Sequence, residues 1–147
     1  MSRYWIGIAS SNHVAIGVEG GFCQLGHGKH TPVMRLKPDD WLIYYAPRTQ
    51  LKGGDKVQSF VAIGQILEGE PYQHAQTEQF TPWRRDVNYL DAETTPIRPL
   101  LHILNCIHDP QHWGMQFRRS LFEIDQHDFE IIADAMNVSE AVEPQAG

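Results

Sequence analysis

Short apolar runs broken by polar turns organise this chain, and no internal repeat or low-complexity block interrupts them. Tyr4 to Ala9, with Trp5, Ile6 and Ile8, predicts a buried strand. Ser10-Ser11-Asn12 supplies turn and N-cap chemistry for a short helix over His13 to Val18, which Gly20-Gly21 should end. Lys37-Pro38-Asp39-Asp40 reads as a turn leading into an aromatic strand, Trp41 to Ala46, stopped by Pro47. Gly53-Gly54-Asp55 marks another turn before a long strand, Val57 to Ile66. Arg85 to Leu90 alternates as a further strand, and Leu121 to Ile124 predicts a short one. Between them, Pro96 to Ile107 is expected to be helical in part, with Leu100, Leu101, Ile103 and Leu104 as its apolar stripe. Asp125, with Asp128 three residues later, should cap a last helix that carries Phe129, Ile132, Ala135 and Met136 on one face.

Strands outnumber helices, and the helices are too few to separate every pair of strands. The pattern therefore predicts a mixed α/β (α+β) fold: a strongly bent, mostly antiparallel sheet or partial barrel of five or more strands, not a doubly wound parallel sheet. One domain should span residues 1–138, followed by a flexible acidic tail over 139–147.

Composition supports a folded domain: 41% hydrophobic and 20% charged residues are ordinary globular values. The first residues lack the basic and apolar regions of a secretory signal, and no apolar run approaches the length of a membrane span. A cytoplasmic protein with two free thiols, Cys23 and Cys106, is the expectation, with a monomer favoured. Taken alone, the net charge of −6 disfavours nucleic acid, but its distribution changes that. Seven acidic and no Lys or Arg residues fall after Arg119, so the first 119 residues hold 12 basic against 11 acidic residues. A basic face can coexist with an acidic C-terminal one.

Cys23-x3-His27-x2-His30 and His102-x3-Cys106-x-His108 contain zinc-type ligands, yet their spacings match no common zinc pattern, so no metal is expected. No nucleophile elbow, Walker loop, HExxH or dinucleotide fingerprint appears, and no cofactor is implied. The enzymatic alternative is a small hydrolase or nuclease using Cys23 and a nearby histidine. The segment Phe80-Thr81-Pro82-Trp83-Arg84-Arg85-Asp86-Val87 sets aromatics beside two guanidiniums, a combination that can stack on a base and hold phosphate. The bland alternative is a core Trp83 and an Arg84–Asp86 pair.

Several segments in order resemble the EVE-domain family: Arg3-Tyr4-Trp5-Ile6-Gly7, Gly17 to Gln24, Asp40 to Tyr45 with Pro47, Phe60-x-Ala62-Ile63-Gly64, and Pro71-Tyr72. Pro82 to Val87, Pro96 to Leu100 and Phe117-Arg118-Arg119-x-Leu121-Phe122-Glu123-Ile124 continue the series to about Met136. The resemblance implies a PUA-like pseudo-barrel, kinship with YTH domains, and a non-catalytic module that holds a modified cytosine or methylated base of DNA or RNA. It further implies a pocket lined by Ser10, Asn12, Gly21, Phe22, Gln24, Tyr45 and Pro47, walled by Phe80 and Trp83, with Arg84 and Arg85 contacting phosphates at its rim. A small-metabolite or protein-interaction module would use the same pocket.

Overall fold

A computed structural model describes residues 2–50 and 52–138. The acidic segment 139–147 lies outside the described residues. The strands are β1 (Tyr4–Ile8), β2 (Phe22–Cys23), β3 (Trp41–Arg48), β4 (Lys56–Ile66), β5 (Tyr72–Gln73), β6 (Trp83–Tyr89), β7 (Thr95–Pro96) and β8 (Leu121–Ile124). The α-helices are α1 (Ser11–Gly20), α2 (His30–Arg35) and α3 (Gln126–Ala135). The sheet runs in the order β2-β6-β4-β3-β1-β8, with β5 added on β6 and β7 on β4. Among the described residues only the β1–β3 pair is parallel; the sheet curls into a half-barrel of the expected α+β, PUA-like kind.

Both faces of the central strands are buried, and side-chain alternation assigns them to two cores. Ile6, Ile43 and Tyr45 pack with Phe60, Phe122, Phe129 and Ile132 on one face. Trp5, Leu42 and Tyr44 pack with Val14, Leu25, Val33 and Val87 on the other. This two-sided burial explains why Trp41 to Ala46 reads as a continuous apolar run rather than an alternating one. The buried Asp40 carboxylate ties the entry to β1 and β3 together, accepting from Arg3 N, the Trp5 indole and Lys37 N.

The helices obey their caps. Ser10 Oγ accepts from His13 N at the start of α1, and Gly21 takes the left-handed conformation (φ 74°) that ends it. Asp125 accepts from Asp128 N at the start of α3, whose Phe129 ring lies 4.5 Å from Tyr4 and 5.5 Å from Trp41. On this helix Ala133, not the expected Ala135, faces the core.

Two local expectations need correction, and four short elements had no sequence signal. Pro47 does not stop β3; the strand continues to Arg48 across a register shift between Ala46 and Arg48, where no N–H is needed. Pro96 to Ile107 forms a 3-10 turn at Arg98–Leu100 and then irregular turns, with Leu100, Leu101 and Leu104 buried but Ile103 exposed. The helix α2 and the two-residue strands β2, β5 and β7 are too short to carry a periodic signal.

Candidate nucleic-acid interface

Because β1 and β3 are parallel, their C-terminal ends emerge side by side, and the chain leaves them in different directions. The space between is a cavity of about 520 Å3. Its walls come from the end of β1, the first turn of α1, the loop after β2, the end of β3 and the segment before β8. Backbone hydrogen bonds fix these walls: Ile8 N donates to Ser120 O at 3.1 Å, Ala9 N to Tyr45 O at 3.2 Å, and Asn12 N to Thr49 O at 3.1 Å.

Ile8, Ala9, Pro32 and Pro47 give the cavity apolar walls, while Ser10, His13, Gln24 and His27 add polar groups. Lys29, Arg48, Arg118 and Arg119 bring four full positive charges, and among the described residues no Asp or Glu lines it. In a chain of net charge −6 this is a strong local inversion of sign. Low-dielectric walls focus such a field on an anionic ligand. Burial pushes the His13 imidazole pKa down, the Gln24 backbone acts against it, and Arg84 and His27 add to the lowering.

The loop after β2 is built for this position. Gly26, His27 and Gly28 hold φ values of 56°, 60° and 79°, three successive left-handed residues. At Gly28 a Cβ would come within 2.4 Å of Pro82 Cβ, so only glycine fits. His27 takes the same conformation without glycine's freedom, at a cost of roughly 1–2 kcal/mol, and lines the cavity.

The residues expected in the pocket are only partly brought together. Ser10, Gln24 and Pro47 line the cavity. Asn12 is exposed on α1, and Gly21 is the cap of that helix. Tyr45 is 1% exposed and packs on Phe60 and Phe117 in the opposite core, since β3 places neighbouring residues on opposite faces. Phe22 lies beneath the Arg84 guanidinium at 3.8 Å, and Trp83 packs on His30 with ring centroids 4.3 Å apart and the planes tilted by 55°. Phe80 is 38% exposed, next to Gly28 and away from the cavity lining.

Arg84 and Arg85 do not form a rim. Adjacent in β6, they point to opposite faces. Arg84 is 8% exposed and its Nε donates to Gln24 Oε1. Arg85 is 3% exposed and donates to Gly69 O at 2.8 Å, beside a separate small hollow. The cavity's cations come instead from Lys29, Arg48, Arg118 and Arg119, loop and strand-end residues far apart in sequence. Of these, only Arg118-Arg119 stood within a segment that carried the family resemblance.

The thiol reading fares poorly on the same geometry. Cys23 is 1% exposed in the core, and burial pushes its pKa up to about 12 despite Arg85. A sealed neutral thiol is a poor nucleophile and a poor metal ligand. Among the described residues the one grouping of three ligand-type side chains is Asp125, His127 and Asp128, which includes none of the zinc-type candidates. Asp128 there already accepts from Asn105 N and Cys106 N, both at 2.7 Å. Among the described residues no helix is long and apolar enough to cross a membrane.

The family model for the EVE domain matches residues 3–135, and the chain belongs to the EVE domain family. A UPF0310 protein of Mycobacterium avium is 44% identical over 135 residues, covering 92% of this chain and 98% of the relative. A UPF0310 protein of Mesorhizobium japonicum is 47% identical over 138 residues, covering 92% and 93%. Among solved structures, the Mmi1 YTH domain in complex with RNA superposes with a TM-score of 0.61 at 10% identity, over 95% of this chain and 80% of that one. Protein Atu2648 from Agrobacterium tumefaciens superposes with a TM-score of 0.58 at 9% identity over 99% of both chains. These likenesses establish the shared fold.

Proposed function

We propose that this chain is a nucleic-acid-binding module that receives a single base, chemically modified, in the cavity at the C-terminal ends of β1 and β3, and acts by binding rather than by turnover. The observation that carries the reading is the cavity itself: among the described residues, four Lys and Arg and no carboxylate around about 520 Å3 with apolar walls. That volume lies within the roughly 300–1,000 Å3 range of ligand-binding clefts. Lys29, Arg48, Arg118 and Arg119 would hold phosphates, while Ile8, Ala9, Pro32 and Pro47 offer apolar surface to the base. The structural likeness to a YTH domain complexed with RNA supports the same class of partner.

Fluorescence anisotropy with matched single-stranded oligonucleotides, DNA and RNA, tests this. One of each pair carries a modified pyrimidine or a methylated purine. The modified member should bind about 10- to 200-fold more tightly, the discrimination that one methyl group supplies in an apolar pocket. Equal affinity across a panel of modifications would refute modified-base recognition.

A further inference from the structure

Gln24 is held at three of its four polar groups. The Tyr44 hydroxyl donates to its carbonyl at 2.8 Å and accepts from its N–H at 3.2 Å. Arg84 Nε donates to its side-chain Oε1. A guanidinium has five donors and no acceptor, so only the amide oxygen can face it, and the amide cannot flip. Arg84 is itself fixed by stacking on Phe22. The group left over is Gln24 Nε2, which has no hydrogen-bond partner among the described residues. Nor is it sealed in: the one sealed, unpartnered side-chain polar atom among them is Arg85 Nε. Gln24 is buried, yet it lines the cavity.

We infer that Arg84 is a positioning residue that locks the Gln24 amide so that the cavity floor presents a fixed N–H donor, selecting a ligand edge with a hydrogen-bond acceptor. This rests on the reading of the cavity as a base site and specifies it. A carbonyl oxygen or an unprotonated ring nitrogen completes the pair. An edge carrying N–H there meets a donor and leaves both groups unpaired in a partly dry site, which is costly. The phosphates belong to the cavity cations, and Arg84 sets base preference without touching the ligand.

The test has two arms, each controlled by a thermal melt. In 15N-labelled free protein, the Gln24 Nε2 protons should give one pair of signals displaced from those of free amides. Arg84→Met, which keeps an apolar contact with Phe22 but no donor, should move them to the free-amide positions; Arg84→Lys should restore part of the displacement. In the second arm, the wild type should bind an oligonucleotide with one 5-methylcytosine about tenfold more tightly than its twin with 3-deaza-5-methylcytosine, where C–H replaces the ring acceptor. Arg84→Met should bring that ratio close to one. Gln24→Glu, which keeps a partner for Arg84 but replaces the donor with a carboxylate oxygen, should shift preference towards thymine, whose ring nitrogen carries a proton. Unmoved amide signals in Arg84→Met, or an unmoved ratio in Gln24→Glu, would overturn the inference. If the wild type binds neither oligonucleotide while its amide is locked, the assignment of a base edge is overturned along with the nucleic-acid reading, and the positioning by Arg84 stands on the first arm.

Discussion

Replacing Arg118 and Arg119 together by alanine should halve the electrostatic part of nucleic-acid binding without harming the fold. Both side chains are exposed and line the cavity, and neither joins an ion pair among the described residues. Surface changes of this kind alter stability by only about 0.5 kcal/mol or less. If each of the four cavity cations neutralises one phosphate of a single strand, log affinity should fall against log salt with a slope of about −2.8. A rise from about 50 to 200 mM salt would then weaken the wild type roughly 50-fold. With two cations left, the slope should be about −1.4 and the same rise should cost roughly sevenfold. Anisotropy titrations at several salt concentrations, with one modified oligonucleotide and its plain twin, measure both slopes. The preference for the modified base should survive, because phosphates position while base contacts specify. A wild-type slope in the double variant would refute the assignment of these arginines. A halved slope in Arg84→Met would return phosphate contact to β6.

Three further outcomes follow from single groups. His27→Gly should stabilise the protein by about 1 kcal/mol, seen as a rise of a few degrees in Tm, by relieving a left-handed residue, while oligonucleotide affinity falls. Tyr44→Phe should cost about 2–3 kcal/mol in urea unfolding because the buried N–H and C=O of Gln24 both lose their partner. His13 has a lowered pKa in the folded chain, so the unfolded chain takes up its proton first and stability should fall as pH drops below about 6.5. Bound phosphate favours the imidazolium, so affinity should rise over that same window, and His13→Gln should remove both trends.

The sheet was legible because its strands are long and apolar: Tyr4 to Ala9, Trp41 to Ala46 and Val57 to Ile66 fall on β1, β3 and β4, and α3 follows its Asp125 cap. Of the expected pocket residues, those that line the cavity stand where the chain turns sharply at a strand end, at Ser10, Gln24 and Pro47. Tyr45 misled because a strand buried on both faces does not reveal which face each residue takes. The Arg84-Arg85 pair looked like a basic step, yet adjacency in a strand separates the two side chains. Both guanidiniums are used internally, one on Gln24 and one on Gly69. The cavity's cations, Lys29, Arg48 and the Arg118-Arg119 pair, come from three separate segments that only tertiary structure brings together. The Gly26-His27-Gly28 triplet was the one local signal left unread, since two glycines around a histidine mark a backbone under constraint.

The proposed base site is the cavity at the C-terminal ends of β1 and β3. The most direct measurement is a 15N chemical-shift map of the protein titrated with a single-stranded oligonucleotide carrying one modified base, beside its plain twin. The modified strand should bind more tightly and move the signals of Ser10, Gln24, His27 and Ser120, with those of Phe80 and Asn12 nearly unmoved. Shifts centred on Phe80 and Trp83, or identical maps and affinities for the two strands, would contradict it.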